Sequence, residues 1–301
     1  MRLSPIAAAL IAASSIGIVP VAAAQDADDA PIVVTGQKDI EKQIQNFVGA
    51  LTPTSPRGQI ARFEDSICPR AVGFTKEQRE VVEDRIKLVV EHAGMKTGGA
   101  KCQINMLIIA APDKADFLKG LGSDHGFLFG DRSPGEIRRI LAQPGSATAW
   151  QVKGRLNADG HPINLEQGIP VNRTTRLPSL ITAAARPYVA GAVVVLDSRA
   201  LGGLTTTQVA DYALMRAFAD VDVQKLDVAS APTILRALDA RADEEIPLTL
   251  TQWDLAFLKG LYSGPNNLYA PSQRSAIGRT IEEEIGGGVA KEEPEADRSQ
   301  G

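Results

Sequence analysis

The chain is poor in the residues that carry most hydrolytic and metal chemistry. Its 301 residues include three histidines and two cysteines, and aromatic side chains make up 5%. His92 falls at the end of a helical pattern, while His125 and His161 sit in separate loops, so a His-rich zinc site would need all three to converge. No His-Glu-x-x-His pair occurs, so no helix offers two imidazoles at i and i+4 beside a general base. No Gly-x-Ser-x-Gly elbow raises a serine nucleophile, and neither common glycine-rich phosphate loop is present. The net charge is −4 with no basic stripe, which argues against nucleic acid because phosphates would go unneutralised. Beyond the N-terminus no apolar run approaches the length of a membrane span, so no stable membrane insertion is expected once a leader is removed. These absences point away from metal, from cofactors and from common nucleophilic catalysis.

The N-terminus is rich in signal instead. Arg2 precedes an apolar run from Ile6 to Val19, interrupted by Ser14, Ser15 and Gly17, and Ala22-Ala23-Ala24 offers a small-residue cleavage site before Gln25. That is the pattern of a secretory signal peptide over residues 1–24, cut after Ala24, and it places the protein in the periplasm or outside the cell. An uncleaved N-terminal anchor is the alternative. Cys68 and Cys102, in an oxidising compartment, suit one disulfide, with two buried free thiols as the other reading.

Residues 25–37 read as an acidic, extended lead, and the periodic pattern starts after them. Ile40, Ile44, Phe47, Val48 and Leu51 fall at helical spacing. Thr75 with Gln78 predicts a capping box, Val82, Ile86, Val89, Val90 and Ala93 form the stripe behind it, and Gly98-Gly99 is expected to close that helix. QINMLIIAA (103–111) predicts a buried strand, followed by a short helix around 114–121 and another capped by Ser133 with Pro134 and Glu136. ATAWQVKGRL predicts a strand, 157–178 an irregular surface loop, and AGAVVVLD (190–197) the central strand. A helix over 205–221 follows, then two more at PTILRALDAR and TQWDLAFLKGLY, the second capped by Thr251 with Asp254 in its first turn. A last helix around 272–285 is expected to stop at Gly286-Gly287-Gly288, leaving a disordered tail over 286–301. The expected fold is one α+β domain over 38–285, a mixed sheet packed with helices.

Within TTTQVADYALMRAFADV (205–221), Ala210, Leu214, Ala217, Phe218 and Val221 make one apolar stripe. An apolar strand, a short turn and this helix precede APTILRALDA and LTLTQWDLAFLKGLY. That order resembles the zincin metalloproteases, in which a Ser-Ile-Met-like turn and a Leu-Thr-x-x-Asp helix closing on Leu-Tyr follow the metal helix. On that pattern Ala210 stands at the first His, Asp211 at the Glu and Leu214 at the second His, so the resemblance implies a degenerate zincin-like scaffold without its metal ligands. An ordinary core helix is the other reading. ARFEDSICP, TTTQVADYALMRAFA and LTLTQWDLAFLKGLY also resemble an uncharacterised family of secreted alphaproteobacterial proteins.

Two further stretches are candidate sites. GLGSDHGFLFGDR (120–132) brings Ser123, Asp124, His125 and Asp131 together in sequence, which reads first as a turn with a surface histidine and, as the alternative, would suit a metal-independent hydrolase. PIVVTGQ (31–37) resembles the segment with which outer-membrane receptors contact TonB, and Ile32, Val33 and Val34 could extend a partner's sheet. The functional expectation is an exported, non-catalytic protein that binds an envelope partner or ligand, with the 120–132 hydrolase and a TonB-contacting accessory as alternatives.

Overall fold

A computed structural model of the chain describes residues 37–55, 57–180, 182–240 and 244–289. The expected signal peptide, the lead bearing Ile32, Val33 and Val34, and tail residues 290–301 lie outside the described residues. In chain order the elements are α1 (Gln37–Leu51), β1 (Arg62–Phe63), β2 (Pro69–Val72), α2 (Lys76–His92), β3 (Met106–Ala111), α3 (Lys114–Asp124), α4 (Pro134–Leu141) and β4 (Ala147–Asn157). Then come β5 (Asn164–Glu166), β6 (Ile169–Val171), β7 (Ala185–Asp197), α5 (Thr206–Phe218), α6 (Val223–Val228), α7 (Gln252–Ser263) and α8 (Ala270–Val289).

β7 is the spine. Its valine run suits burial on both faces: Val193 and Val195 face one apolar cluster, while Ala192, Val194 and Leu196 face the other. β3 and the short β1 pair in parallel along one side of β7, β2 flanks β3 in parallel, and β4 runs antiparallel along the other side. The larger cluster gathers apolar residues of α1, α2, α5, α7 and α8, and the smaller gathers those of α3, α4 and the turn Gly126–Phe129. The result is a mostly parallel sheet between two helical layers, an α+β domain of the expected class.

Side chains cover backbone groups on the β2 and β4 edges of this sheet. Glu83 of α2 accepts the Ala71 N–H of β2 at 3.0 Å. On β4 the Gln143 amide bridges the outward N–H and C=O of Ala149, at 3.2 and 3.3 Å. A register shift follows at Val152/Lys153, and Ile163 N–H returns to Arg155 C=O. Bulges, charges and covered backbone of this kind stop a strand edge from templating another chain.

Several boundaries depart from the sequence reading. α2 ends at His92, where Gly94 takes φ 79°, so Gly94 rather than Gly98-Gly99 turns the chain. The 157–178 segment is not wholly irregular, because β5 and β6 form a hairpin through Gln167 and Gly168, both at positive φ. PTILRALDAR makes only a single 3-10 turn, Ile234–Arg236. α8 continues through Gly286-Gly287-Gly288 to Val289, which removes 286–289 from the expected tail. Among the described residues no helix is long and apolar enough to cross a membrane.

Cys68 and Cys102 are disulfide-bonded, with Cα atoms 5.9 Å apart and a sequence separation of 34. The bridge ties the residue before β2 to the loop leading into β3 and encloses α2. In the chain-entropy view a loop of that length stabilises the fold by about 3–4 kcal/mol. Replacing both cysteines by serine should lower the unfolding free energy by that amount in urea titrations and abolish the effect of reductant. Equal stability of the variant and the oxidised protein would contradict this.

Candidate functional site

Helix α5 follows β7 through a short 3-10 turn, Ser198–Leu201, and opens with a capping box. Gln208 N–H bonds the Thr205 hydroxyl at 3.1 Å while Thr205 N–H bonds the Gln208 side chain at 2.9 Å. From Gln208 to Phe218 every residue is buried. The sequence stripe is therefore only part of what this helix buries: it touches β4 and β7 on the sheet side, α2 on another, and the Ile234–Arg236 turn. A helix enclosed on all sides needs its polar groups matched individually.

Ala210 and Leu214 have no solvent exposure and belong to the larger apolar cluster. A fully buried leucine is worth about 1.5–3 kcal/mol relative to an exposed one. Neither residue offers a metal-binding atom. Asp211, between them, is also fully buried, and it accepts four hydrogen bonds: Arg85 Nε at 2.7 Å, Arg85 Nη2 at 3.0 Å, the Thr249 hydroxyl at 2.7 Å and Leu250 N–H at 3.0 Å. Arg85 also donates to Thr249 Oγ1 at 2.7 Å. With its lone pairs so engaged, the carboxylate is an anchor between α5, α2 and the 249–250 segment.

The turn packed on α5 is fixed by a second buried acid. Asp254, in the first turn of α7, accepts the Thr233 hydroxyl at 2.6 Å on one oxygen and the N–H groups of Ile234 and Thr251 at 3.0 Å on the other. Burial raises its pKa above the usual carboxylate value, against the pull of these hydrogen bonds. Thr251 caps α7 as expected, and with Asp254 it forms a full capping box.

No family model, curated protein or solved structure matches this chain.

The 120–132 loop divides between α3 and a 3-10 turn. His125 caps the end of α3, is exposed, and lies 6.0 Å edge-on from the Phe127 ring, itself 76% exposed. The side chains of Ser123 and Asp124 lie outside the described residues, and Asp131 is exposed. His92 turns its Nδ1 to Leu88 C=O at 2.8 Å on the surface of α2. Among the described residues no group of three or more His, Cys, Asp or Glu side chains could hold a metal ion. Trp150 and Trp253 are core residues, at 5% and 8% exposure, and Tyr262 accepts Phe63 N–H at 3.0 Å. Asn266 donates to Glu64 at 3.1 Å, so this pair braces the 264–268 turn against β1.

Sequence reading missed Arg85 and Thr249, because nothing local marks a partner 126 or 38 residues from Asp211. Truncating Arg85 to Ala should cost about 3 kcal/mol in unfolding free energy, the low end for a broken buried pair because Arg85 is 25% exposed. Leu214→Ala should cost about 2–5 kcal/mol. A loss below roughly 0.5 kcal/mol, the range of ordinary surface changes, for Arg85→Ala in denaturant titrations would remove Asp211 from its anchoring role.

Proposed function

We propose that this is an exported, non-catalytic binding protein, built on a scaffold like that of a zincin protease whose metal helix is filled with hydrocarbon. The observation that carries the reading is the state of α5: Ala210 and Leu214 lie fully in the core, and Asp211 is committed to Arg85, Thr249 and Leu250. The order of elements supports it, since a strand, a turn and a buried helix are followed by a turn packed on that helix and fastened to a capped helix by Asp254. Export is supported by the N-terminal pattern and by the disulfide, a bond that persists in oxidising compartments. The partner is an envelope protein or ligand, reached through binding and not through turnover.

Elemental analysis of the purified protein, after incubation with excess zinc and removal of free metal, tests the scaffold reading. The expected result is far less than one zinc per chain, with no peptidase activity on unstructured casein. Stoichiometric zinc, or hydrolysis that a chelator abolishes, would refute it.

A further inference from the structure

Among the described residues three arginines hold carboxylates side-on, through Nε and Nη2 together. Arg85 holds Asp211 in this way at 2.7 and 3.0 Å, Arg186 holds Glu64 at 3.4 and 3.2 Å, and Arg199 holds Asp197 at 2.9 and 2.6 Å. That edge of the guanidinium matches the two oxygens of a planar acid. Arg216, in the last turn of α5, is 7% exposed and is held differently. Nη1 donates to the Tyr212 hydroxyl at 3.3 Å and Nη2 to Gln143 Oε1 at 3.5 Å. Both contacts are long, both acceptors are neutral, and Gln143 Oε1 already takes the Ala149 N–H. Nε is buried and meets no acceptor among the described residues. Of the side-on edge that grips acids elsewhere in this fold, Nε here is unpaired and Nη2 holds only the long contact to Gln143.

A second cation stands beside it. Lys114 is 8% exposed, and its ammonium donates to the carbonyls of Gln143 and Gly145 at 2.9 and 2.7 Å. Burial lowers its pKa, Asp239 opposes that, and the nearby Arg216 charge lowers it further. Asp239 is exposed and gives one oxygen to Ser146 N–H at 3.0 Å. Asp197 is taken by Arg199. Two buried cations therefore line the Gln143–Ser146 turn without a carboxylate hydrogen-bonded to either side chain among the described residues. Buried charge left in this state is costly unless something pairs with it.

We propose that Arg216 is the receptor for a small oxyanion, a carboxylate or a phosphate, gripped side-on by Nε and Nη2 between α5 and the Gln143–Ser146 turn, with Lys114 adding to the positive field. Pro144 and Gly145, at the tip of that turn, are exposed, so the turn is the near boundary with solvent. The site does not depend on the scaffold reading, since it needs only the unpaired Nε and the weakly held Nη2.

Thermal unfolding of the purified protein in rising acetate or inorganic phosphate, with chloride holding ionic strength constant, tests this. The expected result is a saturable rise in Tm with at least one oxyanion, roughly 5 °C at 100 times its Kd, and the better probe identifies the class. Arg216→Met, which keeps the length and removes the charge, should abolish the rise. If that variant fails to fold, the Arg216 Nε–H resonance of the wild-type protein should shift with the oxyanion and not with chloride. No saturable response in the wild type, or a response that survives Arg216→Met, means that water alone completes Nε, and either overturns the proposal.

Discussion

The buried pair of Asp211 and Arg85 is the constraint from which the rest of the architecture follows. α5 is closed in by sheet, by α2 and by the Ile234–Arg236 turn, so a charge on it survives only if partners arrive from every side. Arg85 reaches in from α2, while Thr249 and Leu250 come from the segment just before α7. One carboxylate thereby fixes the distance between two helices and the path of a third segment. Asp254 repeats the device one layer out, tying the turn to the start of α7.

With α5 so held, the remaining polar groups of the core sort into two kinds. Most are matched: Gln151 reaches the carbonyls of Ala217 and Phe218 at 3.0 and 3.2 Å, which satisfies the end of α5, and Gln143 closes the edge of β4. Two atoms are not: Arg216 Nε and Thr148 Oγ1 are buried and meet no partner among the described residues. The filled helix and the unpaired guanidinium nitrogen lie on one element, with hydrocarbon and the paired Asp211 along α5 and Arg216 Nε at its C-terminal turn.

Much of the fold is legible in the sequence because its signals are local. The expected caps at Thr75, Ser133 and Thr251 each draw on four consecutive residues and each forms. The valine run of β7 and the stripe of α2 likewise carry their own periodicity. The errors fall where tertiary contacts outweigh local preference. PTILRAL has helical spacing, but Asp254 captures Thr233 and Ile234 and stops the segment after one turn. The glycine triplet does not end α8, whose side packs along α7 with Gly260 nearly touching Ile277. The site was half legible: the apolar character of 210 and 214 is written in the helix itself. The partners of Asp211, and the contacts of Arg216 and Lys114 with Gln143, come from distant segments that no spacing rule connects.

Native-state hydrogen exchange of the α5 amides tests the central claim most directly. If α5 is a permanent core element locked through Asp211, the amides from Val209 to Phe218 exchange only through global unfolding, with the same free energy as the slowest amides of β7. Exchange through a smaller, local opening, or protection that rises when zinc is added, would contradict the account.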